Sequence, residues 1–133
     1  SKSDENENAY VTILDPKDTV IRKFKRAITD SETQVVYREG KDGINNLMSI
    51  YSCVTGKSYE EIEREFDGKG YGDFKLAVGE AVADHLAPVR EKFDALIKDK
   101  AYLQKCYTEG AEKARYLSGK TYNKVFKKLG LTL

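Results

Sequence analysis

The feature that most constrains this chain is one long apolar face. Phe74, Val78, Ala81, Val82, His85, Val89, Phe93, Leu96 and Ile97 recur at helical spacing between Asp73 and Lys98. Only a helix puts those positions side by side, so the spacing predicts one long helix over 73–98. Pro88 lies inside it; a proline removes a donor and crowds the preceding turn, so the helix is expected to kink or divide there. His85 falls on the apolar face and reads as a core histidine with a hydrogen-bond partner rather than a catalytic one.

Other helices follow from local signals. Asp15-Pro16-Lys17-Asp18 is a helix start, with Asp as N-cap and Pro at the first position, and the helix runs to about Ile28. Val20, Phe24, Ala27 and Ile28 make its inner face; Arg22, Lys23, Lys25 and Arg26 cover the rest, as a solubilising surface or a phosphate-attracting one. Gln34 to Arg38 has strand character without a partner strand and reads as extended loop. From Ile44 a second helix carries Leu47, Ile50, Tyr51 and Val54 inward and stops at Gly56. Ser58-Tyr59-Glu60-Glu61 is a capping box that opens a third helix with Tyr59, Ile62 and Phe66 inward.

Gly68-Lys69-Gly70-Tyr71-Gly72 lacks both the spacing and the preceding buried strand of a phosphate loop, and reads as a connection between helices. Asp99 caps a helix to about Leu117 with Leu103, Cys106, Tyr107, Ala111, Ala114 and Leu117 inward. A last short helix from Thr121 carries Tyr122, Val125, Phe126 and Leu129 and stops at Gly130. The expected fold is therefore all-α, a bundle of five to six helices.

Composition excludes several classes. No apolar run approaches the roughly 18 residues of a membrane span, and no signal-peptide pattern is present. Cys53 and Cys106 lie far apart among apolar neighbours, so both are expected as reduced, buried thiols of a cytoplasmic protein. With one histidine and no cysteine pair at ligand spacing, no metal site is expected. The net charge of +1 hides an asymmetry: residues 100–133 hold eight Lys or Arg against Glu109 and Glu112 alone. That surplus fits either a polyanion-binding surface or a solvated helix face. No self-contained catalytic constellation emerges.

The N-terminus, Ser1-Lys2-Ser3-Asp4-Glu5-Asn6, has no hydrophobic residue before Ala9 and reads as a loop. A lysine between two serines suits phosphate, because the ammonium supplies charge while hydroxyl and backbone groups supply donors. Further blocks follow in order: Lys25-Arg26-Ala27-Ile28-Thr29-Asp30-Ser31, Asn46-Leu47-Met48-Ser49-Ile50-Tyr51, Gly68 through Lys75, and Gly110-Ala111-Glu112-Lys113-Ala114-Arg115. With these blocks the whole chain resembles the C-terminal part of the bacterial tryptophanyl-tRNA synthetases, a branch of the class I aminoacyl-tRNA synthetases. Ser1-Lys2-Ser3 matches the last three positions of that class's Lys-Met-Ser-Lys-Ser signature.

The resemblance implies a parent tryptophan–tRNA ligase that activates tryptophan with ATP and Mg2+ and transfers it to tRNA(Trp), working as a homodimer. Lys2 would be its catalytic loop lysine, and Ser1, Lys2 and Ser3 would contact ATP. Residues 1–14 would be the loop remnant and lead-in, and 15–133 the helical, anticodon-side tRNA-binding domain. Within it Lys113, Arg115, Lys120 and Lys124 are the expected tRNA contacts. The catalytic α/β domain is missing, so the fragment alone is expected to be inactive and to hold no cofactor. The chain starts inside the signature loop, as proteolysis there would leave it. A stand-alone helical RNA-binding module is the alternative.

Overall fold

The structure, a computed structural model, describes residues 5–131. Among them are a single 3-10 turn, Glu7–Ala9, and five α-helices: α1 Lys17–Lys25, α2 Asp42–Thr55, α3 Tyr59–Glu65, α4 Tyr71–Lys98 and α5 Lys100–Lys128. No strand forms among the described residues. The all-α expectation holds, with five helices because α5 runs unbroken through the break expected between Leu117 and Thr121. Ser118 Oγ donates to the Ala114 carbonyl at 2.8 Å, a bond made inside the helix, and Gly119 removes side-chain bulk without demanding a left-handed backbone. The true stop is Gly130, at φ 68°, where the Leu131 N–H reaches back to the Phe126 carbonyl.

The chain divides into two compact units, Ser1–Glu91 and Lys92–Leu133. In the first, Val20, Ile44, Leu47, Met48, Ile62, Phe66, Phe74, Val78 and Val82 form one buried cluster. Phe66 and Tyr51 both meet the Phe74 ring edge-on, at centroid distances of 4.9 and 5.8 Å, the geometry aromatic quadrupoles favour. Two glycines permit close approach. A Cβ on Gly79 would sit 2.9 Å from the Ile21 Cα, so α4 lies directly on the α1 backbone. A Cβ on Gly43 would sit 2.5 Å from the Ile28 carbonyl oxygen at the start of α2.

Several local readings are met. Ser58 accepts from the Glu61 N–H at 3.3 Å while Glu61 accepts from the Ser58 N–H at 2.8 Å, so the capping box closes both ways. Gly56 ends α2 in the left-handed region at φ 76°. Asp99 accepts from the Tyr102 N–H at 2.9 Å and starts α5.

Others are corrected. Asp15 does not cap α1; Pro16 holds the cap position, and Asp15 instead accepts from the Thr12 N–H and hydroxyl and from Lys23. Because α1 ends at Lys25, Ile28 lies past the helix and is 92% exposed rather than on an inner face. Pro88 does not divide α4, which is helical on both sides of it. The Arg90 guanidinium donates to the Ala83 carbonyl at 2.8 Å in the turn that Pro88 crowds. His85 is exposed, since the buried residues of α4 end at Ala83 and no element covers its flank beyond that. Cys53 and Cys106 are free thiols, but both are exposed rather than buried.

The second unit has no buried residue among its described positions. Phe93, Leu96 and Ile97 at the end of α4 are about half exposed, and Tyr107 and Leu117 on α5 are about two-thirds exposed. The inward face expected for Leu103 to Leu117 exists as a pattern, but nothing within the unit covers it.

Candidate nucleic-acid and loop-anchoring surfaces

The lead-in from the N-terminal segment is pinned at one point. Lys23 is buried, and its ammonium pairs with Asp15 Oδ2 at 2.7 Å and lies 5.1 Å from the centre of the Tyr10 ring. Partial burial would push the Asp15 carboxyl up, but Lys23 and the two Thr12 bonds outweigh it and hold it below its ordinary value. The clamp ties residues 10–15 to α1 and sets where the segment before them enters the unit. By sequence Lys23 falls among the surface cations of this helix; its burial and its pairing with Asp15 correct that. A concave recess of about 260 Å³ lies beside it, lined by Tyr10, Val11, Phe24, Ala27, Leu47 and Ile50 among others.

A second polar cluster holds the extended segment between α1 and α2. Lys41 is 3% exposed, and its Nζ donates to the Tyr71 hydroxyl, to the Gln34 carbonyl at 3.3 Å and to Glu32 at 2.9 Å. The Tyr71 hydroxyl in turn donates to Asp30 Oδ1 at 2.8 Å, which also accepts from the Glu32 N–H. Burial alone would lower the Lys41 pKa, yet Tyr71, Glu32 and Asp30 together hold it above its ordinary value. Lys41 holds the Glu32 carboxyl below its ordinary value, with Arg38 adding to it. In Asp30 the bonds from Tyr71, the Glu32 N–H and Lys41 outweigh desolvation and lower the carboxyl.

Residues 34–38 therefore need no sheet. Tyr37 N–H donates to Glu63, Arg38 N–H and C=O bond the Asn45 amide, and the Tyr37 ring stacks on Tyr59 at 4.3 Å. Side chains of α2 and α3 satisfy backbone groups that a ladder would otherwise pair. No local sequence signal marks Lys41 for this role.

Ser1, Lys2 and Ser3, the expected ATP and catalytic residues, lie outside the described residues. Lys113, Arg115, Lys120 and Lys124 all lie exposed on α5. At about 100° per residue, Lys113, Lys120 and Lys124 share one flank of the helix, whereas Arg115 falls on the other. None of the four forms an ion pair among the described residues, and Lys120 stands 4.2 Å from the centre of the exposed Tyr116 ring. Three aligned, unneutralised lysines with an aromatic ring among them can meet a phosphate backbone. No group of three or more His, Cys, Asp or Glu among the described residues is placed to hold a metal ion. No helix among them is long and apolar enough to cross a membrane.

Comparison with known proteins shows what the chain is similar to. The sequence model of the family described as tRNA synthetases class I (W and Y) matches residues 1–87. The tryptophan–tRNA ligase of Clostridium acetobutylicum is 43% identical over all 133 residues, which span 40% of that relative. Those of Clostridium tetani and Wolinella succinogenes are each 44% identical, over 100% and 98% of the chain and 39% and 40% of their own lengths. The crystal structure of tryptophanyl-tRNA synthetase from Mycoplasma pneumoniae shares the fold, at a TM-score of 0.68 and 24% identity, with 99% of this chain aligned to 40% of that one. The chain thus spans about two-fifths of the length of the curated relatives it matches.

Proposed function

The chain belongs to the class I tRNA synthetases of the W and Y type, and from that premise we propose that it is the C-terminal part of a tryptophan–tRNA ligase. Similarity to ligases of that name along the whole chain, rather than over one motif, is the observation that carries the reading. The parent enzyme would join tryptophan to ATP and pass it to tRNA(Trp), in the cytoplasm and as a homodimer.

In this reading residues 1–14 are loop and lead-in, and residues 15–133 form the tRNA-side helical part. Lys2, flanked by Ser1 and Ser3, meets the negative charge that builds on the leaving pyrophosphate. An ammonium suits that task because it supplies full positive charge where negative charge appears only as the bond breaks. The clamp of Tyr10, Asp15 and Lys23 supports it by fixing the base of the segment that carries Lys2. Mg2+ would accompany ATP, shielding its phosphates while Lys2 meets the leaving group.

The chain by itself is expected to show no tryptophan-dependent ATP–pyrophosphate exchange; measurable exchange would overturn the reading. In the whole enzyme Lys2→Ala should raise the activation barrier by about 2–4 kcal/mol while tryptophan binding persists. The unpaired lysines of α5 favour one second reading, a stand-alone RNA-binding module. Filter binding of tRNA to the chain at two salt concentrations separates the two: tight, steeply salt-dependent binding supports the module, weak binding the partial enzyme.

A further inference from the structure

Lys23 carries a charge into a place where desolvation opposes it. The residue is 8% exposed and borders the recess lined by Tyr10, Val11, Phe24 and Leu47. A buried ion pair adds little net stability over apolar residues of similar volume, and its best-attested use is to fix one register. Here the register is that of the lead-in on α1, set by Asp15 at 2.7 Å from the ammonium and by the Tyr10 ring at 5.1 Å. Val11 and Phe24 pack against the core nearby, but apolar contact is non-directional and would not by itself choose between neighbouring registers.

Two local turns carry that register toward the N-terminus. Asp15 accepts from the Thr12 N–H at 3.1 Å and from its hydroxyl at 2.6 Å, and the Asp15 N–H donates to the Thr12 carbonyl, which closes residues 12–15. The Asn6 side chain accepts from the Asn8 N–H at 3.0 Å, and the Ala9 N–H donates to the Asn6 carbonyl at 2.9 Å, which closes the 3-10 turn just before Tyr10. The fixed part of the lead-in thus reaches Asn6, and covalent geometry alone then keeps Lys2 within about 14 Å of it. Without the clamp the nearest fixed position is Pro16 at the start of α1, and the same limit grows to about 50 Å.

We propose that Lys23 is a positioning residue for Lys2: paired with Asp15 and Tyr10, it holds the lead-in in the register that delivers the loop ammonium to the leaving pyrophosphate. The inference rests on the reading of Lys2 as the loop lysine of a tryptophan–tRNA ligase. Lys23 acts through Lys2 and not on the substrate. The effective concentration of a tethered group falls roughly as the −3/2 power of tether length, so loss of the clamp lowers that of Lys2 about five- to tenfold.

The test is a double-mutant cycle in the whole enzyme encoded by the same gene, read as tryptophan-dependent ATP–pyrophosphate exchange. Lys23→Met should lower kcat about five- to tenfold with the KM for tryptophan unchanged, and Lys23→Arg, which can still pair with Asp15, should recover most of the loss. In the Lys2→Ala background Lys23→Met should cost nothing further, because no ammonium is left to position. Asp15→Asn breaks the same ion pair and runs through the same cycle, so the test stands even where Lys23→Met does not fold; its loss should also vanish in the Lys2→Ala background. An equal fold-loss with and without Lys2 would overturn the proposal, since the pair would then serve stability alone. Slowed exchange in Lys2→Ala with none in Lys23→Met or Asp15→Asn would remove the role of Lys23 and leave the reading of Lys2 standing. Undiminished exchange in Lys2→Ala defeats that reading, and the positioning role with it.

Discussion

Residues 5–91 and 92–131 are made of similar helices, but only the first set is built around a core. Ile44, Met48, Ile62 and Phe74 are completely buried within Ser1–Glu91, whereas nothing described between Lys92 and Leu131 is buried at all. Both regions carry apolar positions at helical spacing. What differs is the number of elements that converge: α1, α2, α3 and the first part of α4 contribute to one cluster, while α5 presents its apolar positions to solvent. Periodicity therefore reports that a face wants cover, and only packing reports whether the same chain provides it.

The largest effect that would break this contrast is a matched pair of truncations. Phe74→Ala should cost about 3–5 kcal/mol in urea unfolding of the chain, through lost transfer energy and the cavity left among Tyr51 and Phe66. Leu117→Ala, on the open face of α5, should stay within about 0.5 kcal/mol. Comparable losses at both sites would mean that α5 has a core after all.

Lys41→Met sharpens the comparison inside the first unit. Glu32 and Asp30 would lose their shared cation and Tyr71 a hydrogen-bond partner, at a cost of about 1–3 kcal/mol. The pH dependence follows from the shifts. Asp30 and Glu32 lie below their ordinary values of 3.8 and 4.5, so the stability they contribute is complete above those values and is lost as pH falls through the lower folded ones. Lys41 lies above 10.5, so its contribution is complete below that pH and is lost as pH rises through the higher folded value. Urea titrations between neutral and acid pH should show the acid loss in the native chain and a shallower one in Lys41→Met.

The smallest effect is at the α3 cap. Ser58→Ala removes the bond to the Glu61 N–H and should cost about 1 kcal/mol, with Ser58→Gly costing less. Thermal unfolding of the three proteins checks the order.

Legibility in the sequence followed the range of the interaction. The capping box at Ser58, the stop at Gly56 and the Asp99 cap were readable because each is settled within a few residues. The roles of Lys23 and Lys41 were not. Asp15 and Lys23 meet across one edge of α1, while Lys41 meets Tyr71 across 30 positions of sequence, and such pairings leave no local signature. His85 and Cys106 show the complementary limit: apolar neighbours at helical spacing mark a face that wants cover, and in the structure both residues are exposed. For the candidate site, the placement of Lys113, Lys120 and Lys124 on one flank of α5 was available from spacing, and so was the separation of Arg115 from them.

The contrast between the two regions is tested most directly by hydrogen exchange of the monomeric chain, resolved along its helices. Amides in the middle of α2 and in α4 up to Ala83 should exchange only through global unfolding, while those of α5 should exchange through far cheaper local opening and show little loss of rate in mild denaturant. Protection along α5 equal to that of α2, in a chain shown to be monomeric, would contradict the account.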